Sequence, residues 1–193
     1  MMRSSTVTRD TKETSVTVTI NIDGKRQTSI DTGIGFLDHM LTLFAFHGDF
    51  DLAITCKGDL EVDAHHTVED TGIILGKAFR EALGEDLSIV RYGSSYVPMD
   101  ETLSRTVIDI SGRSYLVFKS IMPIPYIGEI ETESIKEFFQ AFAREARVNL
   151  HMETLYGENT HHIIESLFKS FARALSAASR ERGGEVSSTK GAL

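Results

Sequence analysis

Two stretches of the chain carry the same pattern of histidine and glutamate. His65 to Glu69 and His161 to Glu165 both read His-His-x-x-Glu, and they lie ninety-six positions apart, half the chain length. Each opens a segment with helical periodicity, so the first histidine and the glutamate share one helix face and can bind one metal ion. The second histidine lies about 100° further round the helix axis and points to another site. The repeated pattern predicts a metalloenzyme that arose by internal duplication.

Mixed imidazole and carboxylate ligands suit several divalent metals. Mn, Fe, Co, Ni and Zn all accept such ligands, and only soft thiolate sites are excluded. A single doublet is as readily a pair of surface or capping histidines, but two copies in register favour metal ligands. His39, at a predicted helix start, has the alternative interpretation of a structural residue. His47 lies eight residues further on and faces roughly the same way, whereas we interpret His151 as a packing or surface residue.

The composition excludes several classes of protein. A net charge of −8 argues against a general nucleic-acid binder, which carries a basic surface, although Arg91, Arg105 and Arg113 could form a local anion site. The single Cys56 cannot form an intramolecular disulfide and fits a reducing compartment. No apolar run approaches the ~20 residues of a membrane span, and no signal-peptide pattern opens the chain. We therefore expect a cytoplasmic protein that binds neither nucleic acid nor membranes.

Polarity patterns predict the elements of the first half. Strands are expected at Thr6 to Thr11, Thr14 to Ile22, Lys25 to Ile30 and Asp51 to Lys57, and helices at Phe36 to Phe46 and from the first doublet to about Leu83. Asp23-Gly24 is typical of a tight hairpin turn, so Lys25 to Ile30 is expected to pair back on the preceding strand.

The second half repeats this order. Strands are expected at Thr102 to Ile110, Arg113 to Ser120 and Val148 to Leu155, and helices at Glu131 to Arg147 and from the second doublet to about Arg182. The first two strands are expected to join at Ser111-Gly112. The fold class is therefore α+β, with duplicated half-domains that each form a mostly antiparallel sheet backed by two helices.

The half-domains are expected to span residues 1–90 and 91–182 and to form one compact unit. Residues 183–193 form a C-terminal tail with too few apolar groups to dock on its own, so composition alone predicts disorder there.

Several segments resemble the imidazoleglycerol-phosphate dehydratases of histidine biosynthesis, and the resemblance covers essentially the whole chain. The segments that carry it are Thr11 to Thr14, Gly35 to Met40, Asp63 to Asp70, Pro98 to Glu101, Glu158 to Glu165 and Thr189 to Gly191. The resemblance implies a fold like ribosomal S5 domain 2. It also implies particles of 24 subunits, with two Mn²⁺ ions at each active site and sites shared between subunits.

The resemblance also assigns residues by position. The implied metal ligands are His39, His65, His66, Glu69, His161, His162 and Glu165, with Glu137 as a further candidate because some relatives carry histidine there. The implied substrate-binding residues are Glu13, His47, Arg91, Arg113, Lys169, Ser188, Thr189 and Lys190. Glu13 is the first candidate for the catalytic base and Glu165 the second.

The implied reaction converts imidazole glycerol phosphate to imidazole acetol phosphate and water. The proton that is lost sits on an unactivated carbon, and a metal-stabilised imidazolate would make its removal possible. Arg91, Arg113 and Lys190 would hold the phosphate. Two alternatives remain open: a binuclear metallohydrolase, for which no bridging carboxylate is evident, and a metal-binding assembly protein without catalytic activity.

Overall fold

The computed structural model describes residues 3–84 and 88–183. Its strands are β1 (Ser4–Asp10), β2 (Thr14–Asn21), β3 (Thr28–Asp31), β4 (Asp51–Gly58), β5 (Tyr92–Met99), β6 (Thr102–Asp109), β7 (Tyr115–Lys119), β8 (Tyr126–Ile127), β9 (Ile130–Glu131) and β10 (Asn149–Tyr156). Its helices are α1 (Gly35–Gly48), α2 (His65–Leu83), α3 (Ser134–Ala146) and α4 (Thr160–Ser179). Helices α2 and α4 begin at or one residue before the two doublets, as the sequence predicts.

The two halves fold into sheets of the same topology. The strand orders are β1-β2-β4-β3 and β5-β6-β10-β7, and β8 and β9 form a small separate hairpin. In both large sheets the first three strands are antiparallel and the last one, β3 or β7, runs parallel to its neighbour. The predicted α+β class with mostly antiparallel, duplicated sheets is confirmed. The division at residues 90 and 91 stays a prediction.

The four helices lie between the two sheets. Helix α2 packs on β1 and β2 and against α3, while α4 packs on β5 and β6 and against α1. Each of the helix pairs α2–α3 and α1–α4 therefore contains one helix from each half. The helices cover one face of each sheet because that face is apolar. In strand β2, for example, Val16, Val18 and Ile20 are fully buried against the helices, whereas Ser15 and Thr19, which alternate with them, are exposed. None of the described helices combines the length and the apolar composition needed to cross a membrane.

Helices α2 and α3 approach each other closely through glycine. A Cβ atom at Gly72 would lie 2.6 Å from the carbonyl oxygen of Phe138, and one at Gly76 would lie 2.8 Å from that of Phe142. Real side chains do not tolerate such distances, so glycine is required at both positions. These two contacts set the close spacing between α2 and α3.

The predicted hairpin at Asp23-Gly24 is wrong. Strand β3 does not pair with β2 but adds in parallel to β4, with Thr28 opposite Leu52. The carboxylate of Asp51, at the start of β4, accepts the backbone N–H groups of Lys25 at 2.6 Å and Gln27 at 2.9 Å. These bonds draw the chain across to β4, a distant contact that the local turn signal does not contain.

Two other strand assignments need correction. Strand β5 was not predicted, because Gly93, Ser94 and Ser95 lack an apolar alternation and Pro98 argues against a central strand. It lies at the sheet edge, where proline is tolerated. The predicted strand at Arg113 to Ser120 exists as β7, but it pairs in parallel with β10 and not with β6. Turn residues Ser111-Gly112 therefore start a crossover and not a hairpin.

We predict that Asp51→Ala lowers the free energy of unfolding by about 1–2 kcal/mol at neutral pH, because two backbone donors lose a charged acceptor. These N–H groups lower the pKa of Asp51, the Gln27 bond first. The stabilisation is therefore present above the ordinary carboxyl pKa of about 4 and is lost as pH falls through the lower native pKa. Urea unfolding at several pH values measures the difference.

The control for this prediction is Asp49→Asn. Asp49 pairs with Arg26 at 2.6 Å, but both side chains are about half exposed, and asparagine tolerates its left-handed backbone. We expect a change below about 0.5 kcal/mol. Equal destabilisation by both variants would show that Asp51 acts only as a general surface charge.

Candidate metal centre

Helices α1 and α4 bring together three side chains suited to bind a metal ion. His39 of α1 and His161 and Glu165 of α4 offer ligand atoms that all lie within 4.8 Å of one another. Glu165 Oε2 is 3.1 Å from His161 Nε2 and 3.6 Å from His39 Nε2. Within residues 3–84 and 88–183, this α1–α4 cluster is the only group of three or more His, Cys, Asp or Glu side chains with that geometry.

Glu165 is ionised in this cluster although it is buried. Its side chain is largely covered, and its other oxygen, Oε1, lies 2.5 Å from Lys169 Nζ. Burial raises the pKa of Glu165, but the bond from Lys169 and the proximity of His161 outweigh burial, so the pKa is lowered overall. Oε1 is therefore held by Lys169, while Oε2 faces both histidines and can bind a cation.

Local structure fixes the doublet of α4. Asn159 caps the helix, and its side-chain oxygen accepts the backbone N–H groups of His161 at 2.9 Å and His162 at 3.3 Å. The ring of Phe36 packs edge-on against His161, with centroids 5.3 Å apart. Two imidazoles and one carboxylate, without a thiolate, fit a divalent ion of intermediate or hard character. The donor set of the α1–α4 cluster thus fits the Mn²⁺ that the family resemblance implies.

The doublet of α2 has the same ring arrangement. His65 Nε2 lies 3.9 Å from Glu69 Oε2. The rings of His65 and His66 are 6.1 Å apart at 82°, and those of His161 and His162 are 6.3 Å apart at 79°. The two rings of each doublet therefore face different directions, as helical geometry predicts.

Glu137 on α3 is the counterpart of His39 on α1. Each residue lies ten positions before the left-handed residue that ends its helix, Arg147 or Asp49. Glu137 is half-buried, and its helix packs against α2, which carries His65 and Glu69. Within the described part of the chain, these three do not form a cluster as tight as the α1–α4 cluster.

The second histidine of each doublet binds a carboxylate that the sequence analysis did not assign. His66 Nδ1 lies 3.1 Å from Asp59 Oδ2, and His162 Nδ1 lies 2.7 Å from Glu101 Oε2. These hydrogen bonds are the main reason that the pKa of each histidine is raised. The bond with His162, followed by that from the Asn159 N–H, lowers the pKa of Glu101. Both contacts join residues from separate elements, so spacing within one helix does not reveal them.

Comparison with known proteins decides the family. The family model described as imidazoleglycerol-phosphate dehydratase matches residues 32–175, which include both doublets and His39. The chain belongs to the imidazoleglycerol-phosphate dehydratase family. Members of this family are hydro-lyases, and the chain is an enzyme of that class.

Relatives of known sequence and structure agree with this family. The imidazoleglycerol-phosphate dehydratase of Acetivibrio thermocellus is 56% identical over 195 residues, and that of Clostridioides difficile is 56% identical over 192 residues; both alignments cover each chain completely. The crystal structure of the enzyme from Staphylococcus aureus is 42% identical with a TM-score of 0.82, covering 91% of this chain and 97% of that chain. The enzyme from Pyrococcus furiosus is 38% identical with a TM-score of 0.85, covering 97% and 100%.

The expected substrate-binding residues of this family member lie in different parts of the structure. His47 of α1 lies near Lys169 and Arg173 of α4, and burial followed by these cations lowers its pKa. Arg91 pairs with Asp109, with Nε 2.7 Å from Oδ1, and its guanidinium lies over the ring of Tyr92.

Glu13 and Arg113 are exposed, Glu13 in the turn between β1 and β2 and Arg113 before β7. Ser188, Thr189 and Lys190 lie outside the described residues. The structure thus brings His47 and Lys169 close to the α1–α4 cluster and leaves Arg91, Arg113 and Glu13 as separate candidates.

We predict that His39→Ala weakens Mn²⁺ binding at least about tenfold, because even the loss of an outer partner of a metal ligand costs 10- to 100-fold. Half of the His39 side chain is exposed, so the substitution leaves no large cavity. His151→Ala on the exposed face of β10 is the matched control. Competition with a chelating dye measures both affinities, and equal affinity in the two variants would remove His39 from the centre.

Proposed function

We propose that this chain removes water from imidazole glycerol phosphate to give imidazole acetol phosphate in histidine biosynthesis. The observation that carries the proposal is the α1–α4 cluster of His39, His161 and Glu165, found in a chain of the imidazoleglycerol-phosphate dehydratase family. In this reaction hydroxide leaves the carbon that bears the imidazole ring, and a proton leaves the neighbouring carbon. The resulting enol becomes the ketone of the product.

Two Mn²⁺ ions per active site are part of the proposal. The ligands would be His39, His65, His66, Glu69, Glu137, His161, His162 and Glu165. The support is that the first histidine and the glutamate of each doublet lie within 4 Å of each other, while the second histidine faces elsewhere. When bound, the ions would supply Lewis-acid stabilisation of an imidazolate-like substrate ring.

Glu13 is our choice for the base that removes the carbon-bound proton. Its side chain is exposed at the β1–β2 turn, and within the described residues it makes no side-chain hydrogen bond or ion pair. Glu165, the second candidate, has one oxygen held by Lys169 and the other facing two histidines. A base needs an oxygen free to approach the substrate, so Glu13 suits the role better.

Cations around the cluster would bind the substrate phosphate. Lys169 and His47 lie beside the cluster, and Arg113 is exposed. We include Arg91, Ser188, Thr189 and Lys190 in the phosphate site from the family resemblance. Arginine and lysine suit a phosphate dianion because they donate charge-assisted hydrogen bonds. Arg91 would have to share its guanidinium between the phosphate and Asp109.

A homo-oligomer of 24 subunits with shared active sites completes the proposal. The α1–α4 cluster would supply three ligands, and the side chains of His66 and His162 remain partly exposed, with His162 Nε2 3.7 Å from Asp100 Oδ2. Neighbouring subunits would complete each site. We also propose a cytoplasmic location, which fits the buried, unpaired Cys56 and which cell fractionation would test.

A product assay tests the activity directly. The purified protein is stripped of metal and incubated with imidazole glycerol phosphate, with and without Mn²⁺. We expect imidazole acetol phosphate only with the metal. In the same assay, Glu13→Gln should lower kcat by about 10²- to 10⁴-fold, because a positioned base is lost, and should keep its Mn²⁺ content.

The control for Glu13→Gln is Glu61→Gln, which removes an exposed carboxylate from the turn between β4 and α2. Its kcat should match that of the unchanged protein. If Glu13→Gln also turns over normally, the base is another group. If the unchanged protein forms no product with Mn²⁺ present, the proposed reaction is wrong.

We predict that metal removal loosens the assembly. A metal ion that binds residues of two subunits favours association, so its removal shifts the equilibrium towards smaller species. Sedimentation velocity with and without chelator measures the distribution, after elemental analysis has verified metal loss. A monomer in the presence of Mn²⁺ would contradict the shared site.

A further inference from the structure

Asp59 and Glu101 bind the second histidine of each doublet through the same ring nitrogen. Asp59 places its two oxygens 3.2 and 3.1 Å from His66 Nδ1, and Glu101 places Oε2 2.7 Å from His162 Nδ1. Asp59 is 19% exposed and Glu101 is 37% exposed. Neither carboxylate belongs to a doublet or to the expected metal ligands, and each contacts its histidine at Nδ1.

A carboxylate that is hydrogen-bonded to Nδ1 determines which ring nitrogen carries the proton. An ionised carboxylate only accepts hydrogen bonds, so Nδ1 must carry the proton. In the neutral ring the lone pair is then on Nε2, at the opposite edge. A histidine that binds metal through one nitrogen commonly donates the other N–H to such a partner, which fixes the tautomer and the ring orientation.

The two carboxylates reach this position from different elements. Asp59 directly follows β4, and its backbone N–H donates to the carbonyl oxygen of Glu13 at 3.1 Å. Glu101 lies in the β5–β6 turn, where Oε1 accepts the N–H of Asn159 at 2.9 Å and the hydroxyl of Thr102 at 3.0 Å. Glu101 is thereby anchored through one oxygen while the other holds His162.

The internal duplication shows which residues of the two halves correspond, although Asp59 and Glu101 come from different elements. Glu13 immediately precedes β2 and Glu101 immediately precedes β6, and these two eight-residue strands occupy the same place in their sheets. Glu13 and Glu101 are therefore equivalent positions. In the second half this carboxylate holds the histidine. In the first half Asp59 holds it, and the Glu13 side chain makes no hydrogen bond or ion pair among the described residues, although its charge helps to raise the pKa of His66.

We propose that Asp59 and Glu101 are positioning residues that hold His66 and His162 in the Nδ1–H tautomer and so present Nε2 of each as the metal-binding atom. The inference rests on the proposed function, because it assumes that both histidines bind metal. It adds the two residues that select the ligating atom. It also explains how Glu13, the equivalent of Glu101, becomes available as a base.

Glu101→Gln separates tautomer selection from structural support. The amide oxygen can keep the bonds to Asn159 and Thr102, and the amide NH₂ group then faces His162. An NH₂ group donates, so Nδ1 must accept and the proton moves to Nε2, the atom that should bind metal. We expect Mn²⁺ affinity to fall by about 10- to 100-fold, with an unchanged circular dichroism spectrum.

Asp59 provides an independent variant pair. Asp59→Asn can rotate its amide oxygen towards His66 Nδ1, so it should bind Mn²⁺ more tightly than Asp59→Ala, which removes the acceptor. Asp63→Asn is the charge control, since Asp63 lies near the same doublet but accepts the backbone N–H of His65 at 2.8 Å and not a ring. Its affinity should stay within about twofold of the unchanged protein, well short of the loss from a missing ring partner.

The decisive measurement is Mn²⁺ affinity by chelator competition, combined with the Raman C4=C5 stretch, which distinguishes Nδ1-bound from Nε2-bound histidine. The unchanged protein should show Nε2 binding, and the variants should lose it. Unchanged affinity and Raman signal in both Glu101→Gln and Asp59→Ala would overturn the inference while leaving the proposed function intact. Absence of Mn²⁺ binding by the unchanged protein would instead reject the proposed metal site. If Glu101→Gln does not fold, the two Asp59 variants decide.

Discussion

The packing of phenylalanine rings between the helices holds the four-helix layer together. Phe171 of α4 lies 5.3 Å from Phe44 of α1, 5.3 Å from Phe139 and 4.9 Å from Phe142, both of α3. Phe142 in turn lies 5.8 Å from Phe79 of α2. These rings are fully buried and connect helices from both halves, at interior packing density. The distance between α1 and α4, and so the meeting of their candidate metal ligands His39, His161 and Glu165, depends on this contact.

The sequence predicts a contact in the candidate site best where both residues lie on the same helix. The spacing of His161 and Glu165 predicts their contact, because helical geometry alone sets it. The contacts of Asp59, Glu101 and Asp51 depend on how separate strands and turns meet, which no local pattern contains. The edge strand β5 was missed for a related reason, since Pro98 weakens the strand signal and only its edge position makes the residue acceptable.

Duplication has kept the backbone of the two halves more alike than their chemistry. Both sheets have the same strand order and the same parallel edge strand, and both doublets have rings set nearly perpendicular. At equivalent positions, however, the residue types differ or take different partners: His39 of the first half corresponds to Glu137 of the second, and Glu13 corresponds to Glu101. A shared framework thus permits each copy of a residue to take a different role, because core packing constrains the helices and strands more than the polar side chains near their ends.

The contact between Lys169 and Glu165 bears on the order of folding and of the proposed metal binding. A buried carboxylate without a partner is strongly destabilising, and a site that relied on a metal ion for that partner could fold only after metal uptake. Here the ammonium group neutralises Glu165 from within the same helix, at 2.5 Å. If the α1–α4 cluster binds an ion as proposed, the polypeptide can therefore reach its native structure before the ion arrives, and the ion can be loaded or exchanged without unfolding α4.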